Sequence, residues 1–265
     1  MIDAGRIAGV LAAVRSRRPL VHNITNYVVM NNTANALLAL GASPAMVHAP
    51  EEVSDFVGIS NALVVNIGTL STPWVASMKL AVEEANARQV PWVLDPVGVG
   101  ATRFRNQTAA DLARMKPAAI RGNASEIMAL AGLSGSGTRG VDSTQGSEAA
   151  LDAARRLSRE SGAVVAVTGV VDHVTDGERL VSIANGHDMM TRVTGLGCTA
   201  TALVGAALAV ERDRLLACAA GLVFLGVAGE IAAARSPGPG SLQVHLLDAL
   251  HALDGGALAE RARLG

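Results

Sequence analysis

At 265 residues the chain is long enough to bury a sizeable core, and its formal net charge of -1 without a long basic run excludes the electrostatic footprint of a nucleic-acid or anionic-membrane binder. Half of the residues are hydrophobic yet only 2% are Phe, Trp or Tyr, so the core must be built from Ala, Val, Leu, Ile and Gly, a diet that suits helices packed closely on a sheet. Two cysteines, Cys198 and Cys218, with no CxxC, and six scattered histidines give no zinc or dithiol motif and fit a reducing, cytoplasmic compartment.

In chain order the pattern alternates. Ile7–Arg18 reads as an amphipathic helix and Pro19–Thr25 as a strand that leaves through Asn23 and Asn26. Val28–Leu40 is helical and stopped by Gly41; Ala42–Val47 is a strand, Pro50–Ser60 a helix, and Ala62–Ile67 an apolar strand of the kind buried on both faces. Pro73–Arg88 (helix), Val90–Leu94 (strand), Arg103–Met115 (helix), Ala118–Ile120 (strand) and Ala124–Ala131 (helix) follow. Leu133–Gly146 is rich in Gly, Ser and Thr and reads as a mobile loop. Beyond it come the helix Ser147–Ser161, the strand Ala163–Val167, and a hairpin of Val171–Thr175 and Arg179–Ala184 around Asp176-Gly177. Three helices, Cys198–Val210, Arg214–Ala234 and Ser241–Leu253, complete the reading.

Strands spaced by helices of this length predict βαβ units: an α/β fold of three layers, one domain over residues 1–265, with a mostly parallel sheet flanked by helices. The mean hydropathy is +0.34, but the uncharged run Leu215–Gly229 falls short of the roughly twenty apolar residues a membrane span needs, so it reads as a buried helix. Asp3 and Arg6 interrupt any export signal, and the chain is expected to stay in the cytoplasm.

Ligands of open parallel sheets bind beyond the carboxyl ends of the strands. Here those ends carry Asn23, Met46, Gly68, Asp95, Arg121 and Thr168. The stretch VTGLGCTATA (Val193–Ala202) adds a glycine loop running into a helix. Gly195 and Gly197 let backbone N–H groups turn toward an anion, and Cys198 sits at the helix start, where the dipole is expected to favour thiolate. The chain has no GxxxxGK[ST], and its two lysines, Lys79 and Lys116, lie away from any glycine-rich turn, so P-loop and protein-kinase plans are excluded. A nucleotide would have to be held by Arg121, by helix termini and by a metal. Asp95 and Glu126 are the candidate magnesium carboxylates; the alternatives are a turn opener at Asp95-Pro96 and a capping box at Asn123-Ala-Ser-Glu126. Thr168-Gly169 offers a hydroxyl and backbone N–H groups to a phosphate, or is a plain strand exit.

The stretches VHNITNYVVMNNTANALLALGASPAM (Val21–Met46), ALVVNIGTL (Ala62–Leu70), VLDPVGVGAT (Val93–Thr102), AAIRGNASEI (Ala118–Ile127), RGVDS (Arg139–Ser143), VTGLGCTATALVGA (Val193–Ala206) and GPGS (Gly238–Ser241) together resemble the hydroxyethylthiazole kinases, of the ribokinase-like fold. The resemblance implies ATP- and Mg²⁺-dependent phosphorylation of the primary alcohol of 4-methyl-5-(2-hydroxyethyl)thiazole, in a cytoplasmic homotrimer with thiazole sites between subunits. It implies Met46 and Gly195 on the thiazole, Arg121 and Thr168 on ATP, and Asp95 and Glu126 near the metal. Cys198 stands where the wider superfamily has a proton-accepting aspartate, and is expected to position and weakly deprotonate the alcohol. Leu196 replaces the small second residue of the family's G-(T/A)-G-C pattern, a departure that bears on fine substrate preference rather than on reaction class. A nucleotide-dependent dehydratase of hydrated nicotinamide cofactors, or a non-catalytic nucleotide-binding module, are the alternatives on the same fold.

Overall fold

The computed structural model describes residues 2–134 and 143–265. Its elements in chain order are α1 (Ala4–Arg17), β1 (Leu20–Ile24), α2 (Met30–Leu40), β2 (Ser43–Ala45), α3 (Val53–Ile59), β3 (Ala62–Asn66), α4 (Thr72–Arg88) and β4 (Trp92–Asp95). Then come α5 (Arg103–Arg114), β5 (Ala119–Asn123), α6 (Ala124–Ser134), α7 (Ser143–Ser161), β6 (Val164–Thr168), β7 (Asp172–Thr175) and β8 (Leu180–Ile183). A 3-10 turn (Asp188–Arg192) leads to α8 (Leu196–Leu208), α9 (Arg214–Ala233), α10 (Pro239–Ala252) and α11 (Gly255–Arg261).

Local chemistry sets the boundaries. Asp3, Ser71 and Thr102 each accept a first-turn N–H, from Arg6, Trp74 and Arg105, and so start α1, α4 and α5. Gly41, at φ +107°, stops α2 by turning its N–H back to Leu37 and Leu38.

The strands form one sheet in the order β2-β1-β3-β4-β5-β6-β7-β8. Every pair from β2 to β6 is parallel, and β6, β7 and β8 are antiparallel, the Asp176-Gly177 hairpin joining the last two. One apolar core lies between the sheet and α1, α2, α8, α9 and α10; the other lies between the opposite face and α3 to α7. The low aromatic content has its counterpart in the α8–α9 contact, where a Cβ on Gly221 would stand 2.6 Å from the Val204 nitrogen. Two helix backbones meet there with nothing between them.

Four expectations are corrected. α8 begins at Leu196 rather than Cys198, so the loop glycines belong to its first turn. β5 runs on to Asn123, which puts Arg121 inside a strand. A fourth late helix, α11, follows α10, and the last residues pair with β8 through Ile183 and Leu264. Of the expected Leu133–Gly146 loop, residues 135–142 lie outside the described residues, and α6 and α7 claim its ends. α9 is 20 residues long with mean hydropathy 2.1, enough by length to cross a bilayer; nearly all of it is enclosed by the rest of the fold, so it is a core helix by burial rather than by shortness.

Candidate active site

The carboxyl ends of the parallel strands face the N-terminus of α8 across a cleft of about 380 Å³, whose lining includes Asn26, Gly68, Asp95, Arg121, Glu126, Gly195, Gly197 and Cys198. Five of the seven site residues expected from the sequence therefore meet in one place. Thr168 joins them through Arg121, whose Nη2 donates to its Oγ1 at 2.6 Å. Met46 does not line the cleft: it leaves β2 at the sheet edge, half-buried. Asn23 turns inward instead, donating its amide to Val21 O at 2.8 Å, and Asn26 takes the cleft position.

The first turn of α8 is built for an anion. Gly195 caps it at φ +83°, and a Cβ there would lie 2.6 Å from Val29 Cγ1, so both the backbone angle and the packing require glycine. The N–H groups of a first turn have no carbonyl within the helix, and Gly197 and Cys198 border the cleft. A Cβ on Gly197 would stand 2.7 Å from Arg121 Nη1; its absence lets the guanidinium lie against the helix. Leu196 packs into the core and does not line the cleft.

Asp95 is fully buried. Its Oδ2 accepts from Asn66 Nδ2 at 2.7 Å and from Thr201 Oγ1 at 2.8 Å, while Oδ1 has no hydrogen-bond partner and lies 4.0 Å from Arg121 Nη1. Burial pushes its carboxyl up to about 6, against the pull of Arg121 and the hydrogen bonds. Asn66 Oδ1 accepts from Asn26 Nδ2 and from the Gly68 N–H, both at 2.9 Å, and Asn26 Nδ2 also reaches Cys198 Sγ at 3.5 Å. Arg105 fixes the rim by donating Nη1 to Ile67 O and Val97 O, at 2.6 and 2.8 Å, and Nη2 to Gly68 O at 2.7 Å.

Cys198 corrects the expectation of a favoured thiolate. Burial, reinforced by the charge of Asp95, pushes its thiol up to about 11, and the Asn66 and Asn26 bonds and the Arg121 charge do not reverse this. The Thr168-Gly169 turn offers less than expected, because the Gly169 N–H is already given to Asp172 Oδ1 at 2.9 Å. Both readings of Glu126 bear on the cleft. It closes the capping box, with its N–H on Asn123 Oδ1 and its Oε2 on the Asn123 N–H, both at 2.9 Å, and its Oε1 accepts from Gly98 N–H at 2.9 Å.

For a divalent metal the donor set is thin but suitable. Among the described residues no group of three or more His, Cys, Asp and Glu is placed to hold an ion. The orphaned, buried Asp95 Oδ1 is one hard oxygen ligand, and Glu126, with both oxygens engaged, fits contact through water. Such a site fits an ion that keeps its waters and is carried on phosphate oxygens, not one caged by protein.

Sequence reasoning missed Asn26, Asn66, Thr201 and Arg105 as a set. Asn26 and Asn66 each stand beside a motif residue, but their pairing spans 40 positions and Thr201–Asp95 spans 106, so nothing local signals either.

Comparison with known proteins agrees with this geometry. The model of the hydroxyethylthiazole kinase family matches residues 11–255. The hydroxyethylthiazole kinase of Granulibacter bethesdensis is 61% identical over 253 residues, covering 96% of this chain and 92% of that protein. A solved structure of a hydroxyethylthiazole kinase protein from Pyrococcus horikoshii OT3 superposes with a TM-score of 0.91 at 44% identity, covering 98% of each chain. An ADP complex of Bacillus subtilis pyridoxal kinase shares the fold alone, with a TM-score of 0.58 at 16% identity over 79% of this chain and 91% of that one. By its sequence from end to end, its fold and the cleft at its strand ends, the chain belongs to the hydroxyethylthiazole kinase family.

Proposed function

We propose that this chain transfers the terminal phosphoryl group of ATP to the primary hydroxyl of 4-methyl-5-(2-hydroxyethyl)thiazole, making the monophosphate used in thiamine biosynthesis or salvage. The observation that carries the reading is the meeting, in one cleft, of the Arg121 guanidinium, the glycine-started first turn of α8 and the orphaned oxygen of Asp95. A cation, a row of unpaired N–H groups and one hard oxygen are what a transferring phosphoryl with its metal needs.

Arg121 and Thr168 bind the ATP phosphates. The N–H groups at Gly195–Cys198 receive the transferring phosphoryl, and the Arg121 guanidinium offsets its negative charge. Gly195 touches the thiazole. Cys198, held by Asn26, keeps a protonated thiol beside the alcohol and orients it for in-line attack. Asp95 and Glu126 would hold Mg²⁺, the second through water; the ion supplies neutralisation of phosphate charge. No covalent enzyme intermediate is required.

We also read residues 1–265 as one catalytic domain, active in the cytoplasm as a homotrimer. The two free thiols favour a reducing compartment. Tyr27 and Val28, about two-thirds exposed beside the cleft, favour burial against a second copy, whose Met46 would complete the thiazole pocket.

The test is ADP release from ATP and Mg²⁺ with hydroxyethylthiazole, beside a no-alcohol control and a panel of other small primary alcohols. Release dependent on the thiazole alcohol supports the reading. Release that depends on no alcohol, with nucleotide still bound, overturns it in favour of the dehydratase or the binding module.

A further inference from the structure

Asp172 stands outside the motifs that mark the cleft, at the start of β7, four residues after Thr168. Its Oδ1 accepts the Gly169 N–H at 2.9 Å, which closes the turn between β6 and β7 across residues 168–172. The antiparallel pair Val167 with His173 fixes the two strands immediately beneath that turn. Arg121 reaches that turn: its Nη2 donates to Thr168 Oγ1 at 2.6 Å, while its Nη1 lies 4.0 Å from the unpartnered Oδ1 of Asp95.

We propose that Asp172 is a positioning residue for the nucleotide: by tying the Thr168-Gly169 turn through the Gly169 N–H it holds the Thr168 hydroxyl where Arg121 donates to it. The inference rests on the reading of Arg121 and Thr168 as the ATP grip. Without Asp172 the turn loses its closing bond and the Thr168 hydroxyl shifts away from Arg121 Nη2, so the pair no longer presents one preformed surface to phosphate oxygens. Burial pushes the Asp172 carboxyl up to about 6, opposed by the Gly169 bond and Arg121, so at pH 8 the group is a carboxylate and acts as described.

The test is calorimetric binding of the non-hydrolysable β,γ-methylene analogue of ATP at pH 8, with KM for ATP and for hydroxyethylthiazole, on the parent chain, Asp172→Ala and Asp172→Asn. Asp172→Ala should weaken analogue binding and raise KM for ATP threefold or more, with the thiazole KM within twofold of the parent. Asp172→Asn, whose amide oxygen still accepts from Gly169, should bind within threefold of the parent or tighter. Asp172→Glu keeps the charge but moves the oxygen off the Gly169 N–H; it should also lose threefold or more, and it serves if the alanine variant does not fold. Analogue binding by Asp172→Ala, or by Asp172→Glu in its place, within threefold of a parent that binds well overturns this inference alone. So does a matching loss for both substrates, which a merely structural role would give, or an asparagine variant no better than alanine. A parent chain that binds no analogue overturns both this inference and the reading beneath it.

Discussion

Replacing Cys198 separates two roles that a thiol beside an attacking alcohol can have. With the thiol pushed up to about 11, roughly one molecule in three thousand carries a thiolate at pH 7.5. A well-placed general base is worth on the order of a hundred- to ten-thousandfold in rate when it is in the right protonation state. Weighted by so small a thiolate fraction, that contribution shrinks to a factor near one. Cys198→Ala should therefore lower kcat by less than about tenfold, a loss assigned to the missing contact with the alcohol. Between pH 7.5 and 9.5 the parent's kcat should stay nearly flat. Cys198→Asp puts at the same spot a group that is ionised at neutral pH, and should raise kcat. The assay is initial-rate ADP release at saturating ATP and thiazole, measured across that pH range on the parent and both variants. A kcat that climbs tenfold per pH unit, together with a thousandfold loss in Cys198→Ala, would refute the reasoning and make the thiolate the base.

Gly197→Ala brings a Cβ to 2.7 Å from Arg121 Nη1, so the guanidinium has to move; kcat/KM for ATP should fall tenfold or more with little change in the unfolding midpoint. Thr201→Val removes a donor from the buried Asp95 carboxylate and should cost about 1.5–3 kcal/mol in urea unfolding, which Thr201→Ser largely restores. Asp95 binds its proton more tightly folded than unfolded, so its contribution to stability is full below about pH 4 and is lost as pH rises through about 6. In metal-free protein, Asp95→Asn should remove that loss and gain about 2–3 kcal/mol at pH 8, while activity falls a hundredfold or more. Thermal melts at pH 5 and pH 8 check the first part; an Asp95→Asn chain no more stable than the parent at pH 8 would count against it.

Much of the fold was legible because its signals are local. Apolar runs such as Ala62–Asn66 mark strands buried on both faces, and Asp176-Gly177 marks the antiparallel end of the sheet. The rule that parallel strands present ligands at their carboxyl ends then brings Asp95, Arg121 and Thr168 together before any coordinates are known. What stayed hidden depends on distance in the chain. The Cys198 thiol is pushed up by burial and by Asp95, more than a hundred residues away, and neither is legible from the residues around it. The Asn26–Asn66–Asp95–Thr201 chain of hydrogen bonds arises only once three strands and α8 converge. Glu126 shows a capping box in sequence; its bond to the Gly98 N–H, which ties that box to the β4 exit, does not. Met46 does not line the cleft of its own chain.

The central claim is that the γ-phosphoryl of ATP ends on the hydroxyethyl oxygen, so the most direct measurement follows that group. ATP labelled in its γ-phosphoryl is incubated with the protein, Mg²⁺ and hydroxyethylthiazole, and the products are separated and identified by mass. The account predicts label in thiazole monophosphate in proportion to ADP formed, and none when Arg121→Ala replaces the parent. Label appearing only as inorganic phosphate, at a rate indifferent to the thiazole, would contradict it.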